Sequence, residues 1–166
     1  MKLLVVYAFP FAMAMAAWLD LLTMKIPNRF VLVFAAAFFL AAFAVGMPAQ
    51  QIAMHIAAGV AMLVVSFLLF IPGWIGGGDA KFFAATAMWL GWQPLFEYAL
   101  VSSIFGGLLT LGILFARSHP LPAPLARQPW VSRLHDVDTG VPYGIAMAIA
   151  GLVIFGDSPW GAAIGL

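Results

Sequence analysis

An all-α, polytopic bundle of about six transmembrane helices is the fold this chain of 166 residues predicts. The first reason is composition. Hydrophobic residues make up 65% and charged residues 8%, with a mean hydropathy of +1.09, whereas soluble domains carry about 25% charge. The second is continuity: the apolar runs 3–22, 30–46, 52–71, 80–92, 95–116 and 141–156 do not alternate, which disfavours a transmembrane β-barrel. The third is punctuation, with turn residues between the runs at Ile26-Pro27-Asn28, Gly46-Met47-Pro48, Pro72-Gly73 and Gly91 to Pro94. Spans of ~20 residues leave room for one integral membrane domain, residues 1–166, and little else.

The first run resembles a secretory signal peptide, with Lys2 near its start and Ala12-Met13-Ala14 within it. It continues through Trp18 and Leu19, long enough to span, and reads as a retained helix with a bend at Pro10. The fourth run is short, ~20 Å of helix against a ~30 Å hydrocarbon core. A start at membrane depth would put the preceding glycine loop beside a cavity, since irregular backbone is tolerated there only under cover. Residues 117–139 are the sizeable polar loop. Pro120, Pro122 and Pro124 favour an extended course, and Arg127 to Arg133 suit lipid headgroups. Gly106-Gly107 suits close helix contact.

Six helices put Lys25, Arg29, Lys81, Arg117, Arg127 and Arg133 on one side and Lys2 on the other. Positive charge marks the cytoplasmic side, so both termini face outward and the 117–139 loop is cytoplasmic. Asp20 ends the first helix on that side, and Asp79 begins the fourth there. A carboxylate at a helix centre costs about 2.5–3.5 kcal/mol on insertion scales, so each demands a partner or a function. Two at one depth suggest acid–base chemistry, as in an aspartic peptidase. Such a pair shares one proton, because neighbouring like charges resist ionising together.

Supporting roles follow from chemistry. Gly76, Gly77 and Gly78 allow close backbone approach and positive φ ahead of the helix. Asp79 at a helix N-terminus is favoured by the dipole, and a simple N-cap is the ordinary alternative. Lys81 marks the charged face or meets an acidic group, and Pro27 with Asn28 makes the turn that orients Asp20. The blander account of both acids is separate satisfaction by water or by Lys25 and Lys81. Asp136 and Asp138 read as solvated loop acids, Glu97 and Asp157 lie on the far side, and His55 reads as a packed core residue. The chain has no cysteine, no His spacing for a metal and no basic stripe, so no metal, cofactor or nucleic acid is expected.

Asp20 followed by Lys25-Ile26-Pro27-Asn28 resembles the first motif of the type IV prepilin peptidases. Gly76-Gly77-Gly78-Asp79 with Lys81 resembles their second motif, Gly-x-Gly-Asp, and Val141-Pro142-Tyr143-Gly144 resembles the start of their last helix. The order and layout agree across nearly the whole chain. Presenilin-like proteases share Gly-x-Gly-Asp, but a Tyr precedes their first Asp, where this chain has Leu19. The resemblance implies a membrane aspartic endopeptidase with Asp20 and Asp79 catalytic, in the bacterial inner membrane. Its substrate would be a prepilin, cut after a Gly between a basic leader and an apolar helix. Larger family members carry a cysteine tetrad and an N-methyltransferase activity. The absence of cysteine here resembles the small peptidase-only branch associated with tight-adherence, Flp-type pili. Among other classes, a transporter or channel component would use Asp20 and Asp79 as a proton or cation relay. Lipid is the expected surroundings, and the sequence carries no sign of oligomeric state.

Overall fold

The computed structural model describes residues 2–160, with side chains from Tyr7 onward. The Lys2 side chain and the extreme chain ends, on which the outward placement of both termini rests, lie outside the described residues. Within them the chain forms eight helices and no strand: α1 (Lys2–Thr23), α2 (Asn28–Ala44), α3 (Ala49–Phe70), α4 (Gly77–Leu90), α5 (Leu95–Arg117), α6 (Ala123–Ala126), α7 (Pro129–His135) and α8 (Tyr143–Phe155). Six of these are the anticipated apolar helices. The other two fall inside the 117–139 loop, which is therefore not extended throughout. Pro124 and Pro129 permit this, because proline's fixed φ suits a first helical turn as well as an extended course, and each lies in the first turn of its helix. α1 runs unbroken through Pro10.

α3 and α5 are long and apolar enough to cross a membrane, and Tyr7–Thr23, Asn28–Ala44 and Tyr143–Phe155 are shorter apolar helices. α4 is different. It spans only about 21 Å by helical rise, yet nine of its 14 residues are buried, because α2, α3 and α8 surround it. It is the core helix of the bundle. α1 runs antiparallel to α8, with Phe9 stacked on Phe155 at 4.4 Å near one end and Asp20 against Gly144 near the other. The ends of α1, α3 and α5 and the starts of α2, α4 and α8 consequently share one end of the bundle. Lys25, Arg29, Lys81, Arg117, Arg127 and Arg133 all belong to that end.

The opposite end is pinned by aromatic side chains that hydrogen-bond to the backbone of neighbouring elements. Trp89 Nε1 donates to the Phe34 carbonyl at 2.9 Å, Trp160 Nε1 to the Trp89 carbonyl at 2.6 Å, and His55 Nδ1 meets the Met88 carbonyl at 2.8 Å. Where water is scarce an unmade hydrogen bond carries its full desolvation penalty, so these contacts decide which faces pack. His55 is the packed core residue its position suggested. Of the glycine pair on α5, only Gly106 serves close contact: a Cβ there would run into the Tyr143 ring, whereas one on Gly107 meets nothing within 4 Å.

Candidate active site

Three stretches far apart in sequence meet at the charged end. α1 closes with Met24 at φ 54, and residues 24–27 carry the chain over to α2. This turn leaves Ile26 buried, while Pro27 and Asn28 stay exposed. Ile26 then fills the space between the other two stretches. A Cβ on Gly78 would lie 3.4 Å from the Ile26 backbone, and one on Gly144 would lie 2.9 Å from Ile26 Cδ1. Glycine is needed on the Gly144 side, whereas a Cβ on Gly78 would only just reach ordinary contact.

Asp20 is 4% exposed and accepts a hydrogen bond from the Gly144 backbone N–H at 2.7 Å on Oδ2. Gly144 stands in the first turn of α8, whose N–H groups lack helical partners, so a helix N-terminus serves as a fixed donor to a buried carboxylate. Asp79 is half-buried in the first turn of α4. It is not the N-cap: that position is Gly76, at φ −72, and Asp79 stands three residues inside the helix. From there its carboxylate leans back over Gly76, where a Cβ would lie 2.9 Å from Oδ2. None of Gly76, Gly77 and Gly78 has positive φ, contrary to expectation. The left-handed glycine of this connection is Gly73, at φ 79, which takes the tight turn and leaves the later three for close approach.

Both carboxylates line one cavity of about 1090 Å³, and a charge on Asp20 is felt at Asp79. Gly76, Gly77, Gly78, Pro27 and Asn28 line the same cavity, with walls supplied by α3 and α5. Lys81 is not on its wall. Its ammonium group donates to Asn28 Oδ1 at 2.9 Å, tying the start of α4 to the start of α2 and away from Asp79. Asp136 and Asp138 are exposed, and the Asp138 N–H donates to Asp136 Oδ1 at 3.0 Å, a local turn rather than a second site.

Two residues of the arrangement were given no role from sequence. Gly144 had the Pro-Tyr-Gly motif as its signal, but not its bond to Asp20. Arg117 had none. Its Nε donates to the Leu134 carbonyl at 2.8 Å, and its Nη2 to Thr139 and Gly140 at 3.1–3.2 Å, clamping the segment that leads into α8. Arg133 adds a 2.6 Å bond to the Leu22 carbonyl, closing α7 against the end of α1.

Among known proteins, the prepilin leader peptidase/N-methyltransferase of Aeromonas hydrophila is 34% identical over 86 residues, 51% of this chain and 24% of that protein. Those of Legionella pneumophila and Dickeya chrysanthemi are 35% identical over 86 residues and 43% over 60, covering 24% and 20% of their lengths. The chain thus spans a quarter or less of these curated relatives. No solved structure matches it. Residues 7–111, more than half of the chain and the part that holds both carboxylates, match the type IV leader peptidase family, and the chain belongs to that family.

Proposed function

We propose that this protein is an aspartic endopeptidase of the bacterial inner membrane that removes the leader from type IV prepilins, of the Flp type, at the cytoplasmic face. The observation that carries the reading is the meeting of Asp20 and Asp79 in one cavity, each supplied by a separate helix, with the charge of Asp20 felt at Asp79. One carboxylate accepts a proton from water as the water attacks the scissile carbonyl. The other, protonated, donates a hydrogen bond to the carbonyl oxygen and stabilises the tetrahedral intermediate. Gly144 orients Asp20, leaving its second oxygen for this exchange.

The positive charges gathered at the site end support a cytoplasmic orientation. The cavity walls supplied by α3 and α5, the two helices long and apolar enough to cross a membrane, suit an apolar substrate helix arriving from the lipid. The test is coexpression of a Flp-type prepilin with the wild type, Asp20→Asn and Asp79→Asn, followed by precursor size on a gel. Each substitution is expected to abolish processing. Processing that survives either one removes that residue from the dyad, and ion flux without cleavage would favour a relay.

A further inference from the structure

Four serine and threonine residues line the cavity, and the hydroxyls of three are already engaged. Ser66 donates to the Met62 carbonyl, Ser103 to Ala99 and Thr110 to Gly106, the usual back-bond of a hydroxyl to the carbonyl one turn earlier. Ser102 makes no such bond. It is 4% exposed, lines the cavity, and its hydroxyl has no hydrogen-bond partner. Such a group is costly in a folded protein and calls for a reason.

Its surroundings supply one. Tyr98, one turn earlier on the same face of α5, is fully buried, and its hydroxyl is likewise without a partner. It lies beside the hydroxyls of Thr86 and Ser102, with neither at hydrogen-bonding geometry. The Tyr98 ring stacks on Phe83 of α4 at 4.9 Å, which fixes its place. Thr86 spends its one proton on the Phe82 carbonyl at 2.9 Å, so it can only accept from the others. Should the three hydroxyls close into a chain, it has one direction: Ser102 would donate to Tyr98, and Tyr98 to Thr86. Ser102, on a helix that lines the cavity, would then have an unfilled lone pair and no proton to offer. The open end takes a donor.

Depth narrows the donor. Phe83 and Thr86 lie about 6–10 Å along α4 from Asp79, and Ser102 is one turn, about 6 Å, back toward the site from Tyr98. Ser102 thus lies within about one helical turn of Asp79 in depth. A substrate helix cut at its border presents its first turn there, where four N–H groups lack partners while every carbonyl is used.

We infer that Ser102, backed by Tyr98 and Thr86, is a substrate-binding residue that accepts a hydrogen bond from a backbone N–H in the first turn of the substrate's apolar helix. The inference rests on the peptidase reading above. It makes Ser102 a cap supplied in trans to a helix end opened for cleavage.

The test uses the full-length protein in lipid vesicles and synthetic peptides with a basic leader ending in Gly followed by an apolar helix. Single amides of the helix's first turn are replaced by esters, which deletes one N–H each. With the wild type, one ester position should raise KM about fivefold with little change in kcat. Ser102→Ala should raise KM for the all-amide peptide by a similar factor and be indifferent to that ester, and Ser102→Thr should restore the wild-type pattern. The inference is overturned if no position is ester-sensitive, as when a buried water alone satisfies Ser102, or if the two losses multiply independently. An all-amide peptide left uncut by the wild type, or still cut by Asp20→Asn, overturns the peptidase reading instead.

Discussion

Gly144→Ala probes the contact that joins the last helix to the first carboxylate. The new Cβ would lie 2.8 Å from Asp20 Oδ2, 2.9 Å from Ile26 Cδ1 and 3.0 Å from Asp20 Cβ. Ordinary contact begins near 3.4 Å, so about 0.6 Å must be found against the carboxylate oxygen. Asp20 cannot yield freely, being buried on α1, whereas the Ile26 Cδ1 methyl is the end of a flexible side chain. The shift would stretch the 2.7 Å bond from the Gly144 N–H, a bond to a charged acceptor worth about 1.5–3 kcal/mol. Overpacking adds about 1–3 kcal/mol of destabilisation. Misplacement approaching 1 Å costs up to about 100-fold in rate. Initial rates of leader removal in vesicles should therefore fall about 10- to 100-fold, with a lowered melting temperature in detergent. Gly107→Ala and Gly112→Ala, where a Cβ meets nothing within 4 Å, serve as controls and should stay within about twofold. A Gly144→Ala protein that processes prepilin at the control rate would refute the role of this contact in holding Asp20.

Two further expectations follow from the bonds around the site. Lys81→Met removes the bond to Asn28 Oδ1 on an exposed surface, so stability should fall by less than about 1 kcal/mol and processing should persist within a few-fold. Complete loss of processing in a folded Lys81→Met protein would give Lys81 a direct part in the chemistry. Arg117→Lys keeps the charge but not the planar fork that reaches Leu134, Thr139 and Gly140. It should loosen the segment entering α8 and slow processing about tenfold through Gly144, with full activity in the variant refuting that linkage.

Much of the architecture was legible because it depends on quantities local to the chain. Continuous apolar runs bounded by Gly, Pro and Asn define the helices, and the bias of Lys and Arg defines a charged end. The same bookkeeping put Asp20 and Asp79 at that end, and the two motifs drew attention to Ile26 through Asn28 and to Gly76 through Asp79. The glycines were recognised for the right general reason, close approach, but were assigned the wrong backbone. Positive φ falls at Gly73, since a turn just after α3 needs it and the extended entry into α4 does not. The 117–139 segment was misjudged because proline is read equally well as a breaker and as a first helical residue, and only its neighbours decide.

What the sequence alone determined was the number of apolar helices, the end that carries the positive charge, and two acids at that end. Which helix is central, which face each helix turns inward, and which groups touch the acids were decided by the tertiary structure. A soluble helix announces its buried face by a polar stripe on the other side, but helices apolar all round carry no such mark. The rotation of α1, α4, α5 and α8 is instead settled by contacts between distant residues. Gly144 meets Asp20 across 124 positions, Ile26 sits between two glycines, Tyr143 occupies the space left by Gly106, and Ser102 is turned beside Tyr98. Those contacts exist only once the helices have packed, and the geometry around both carboxylates is made of them.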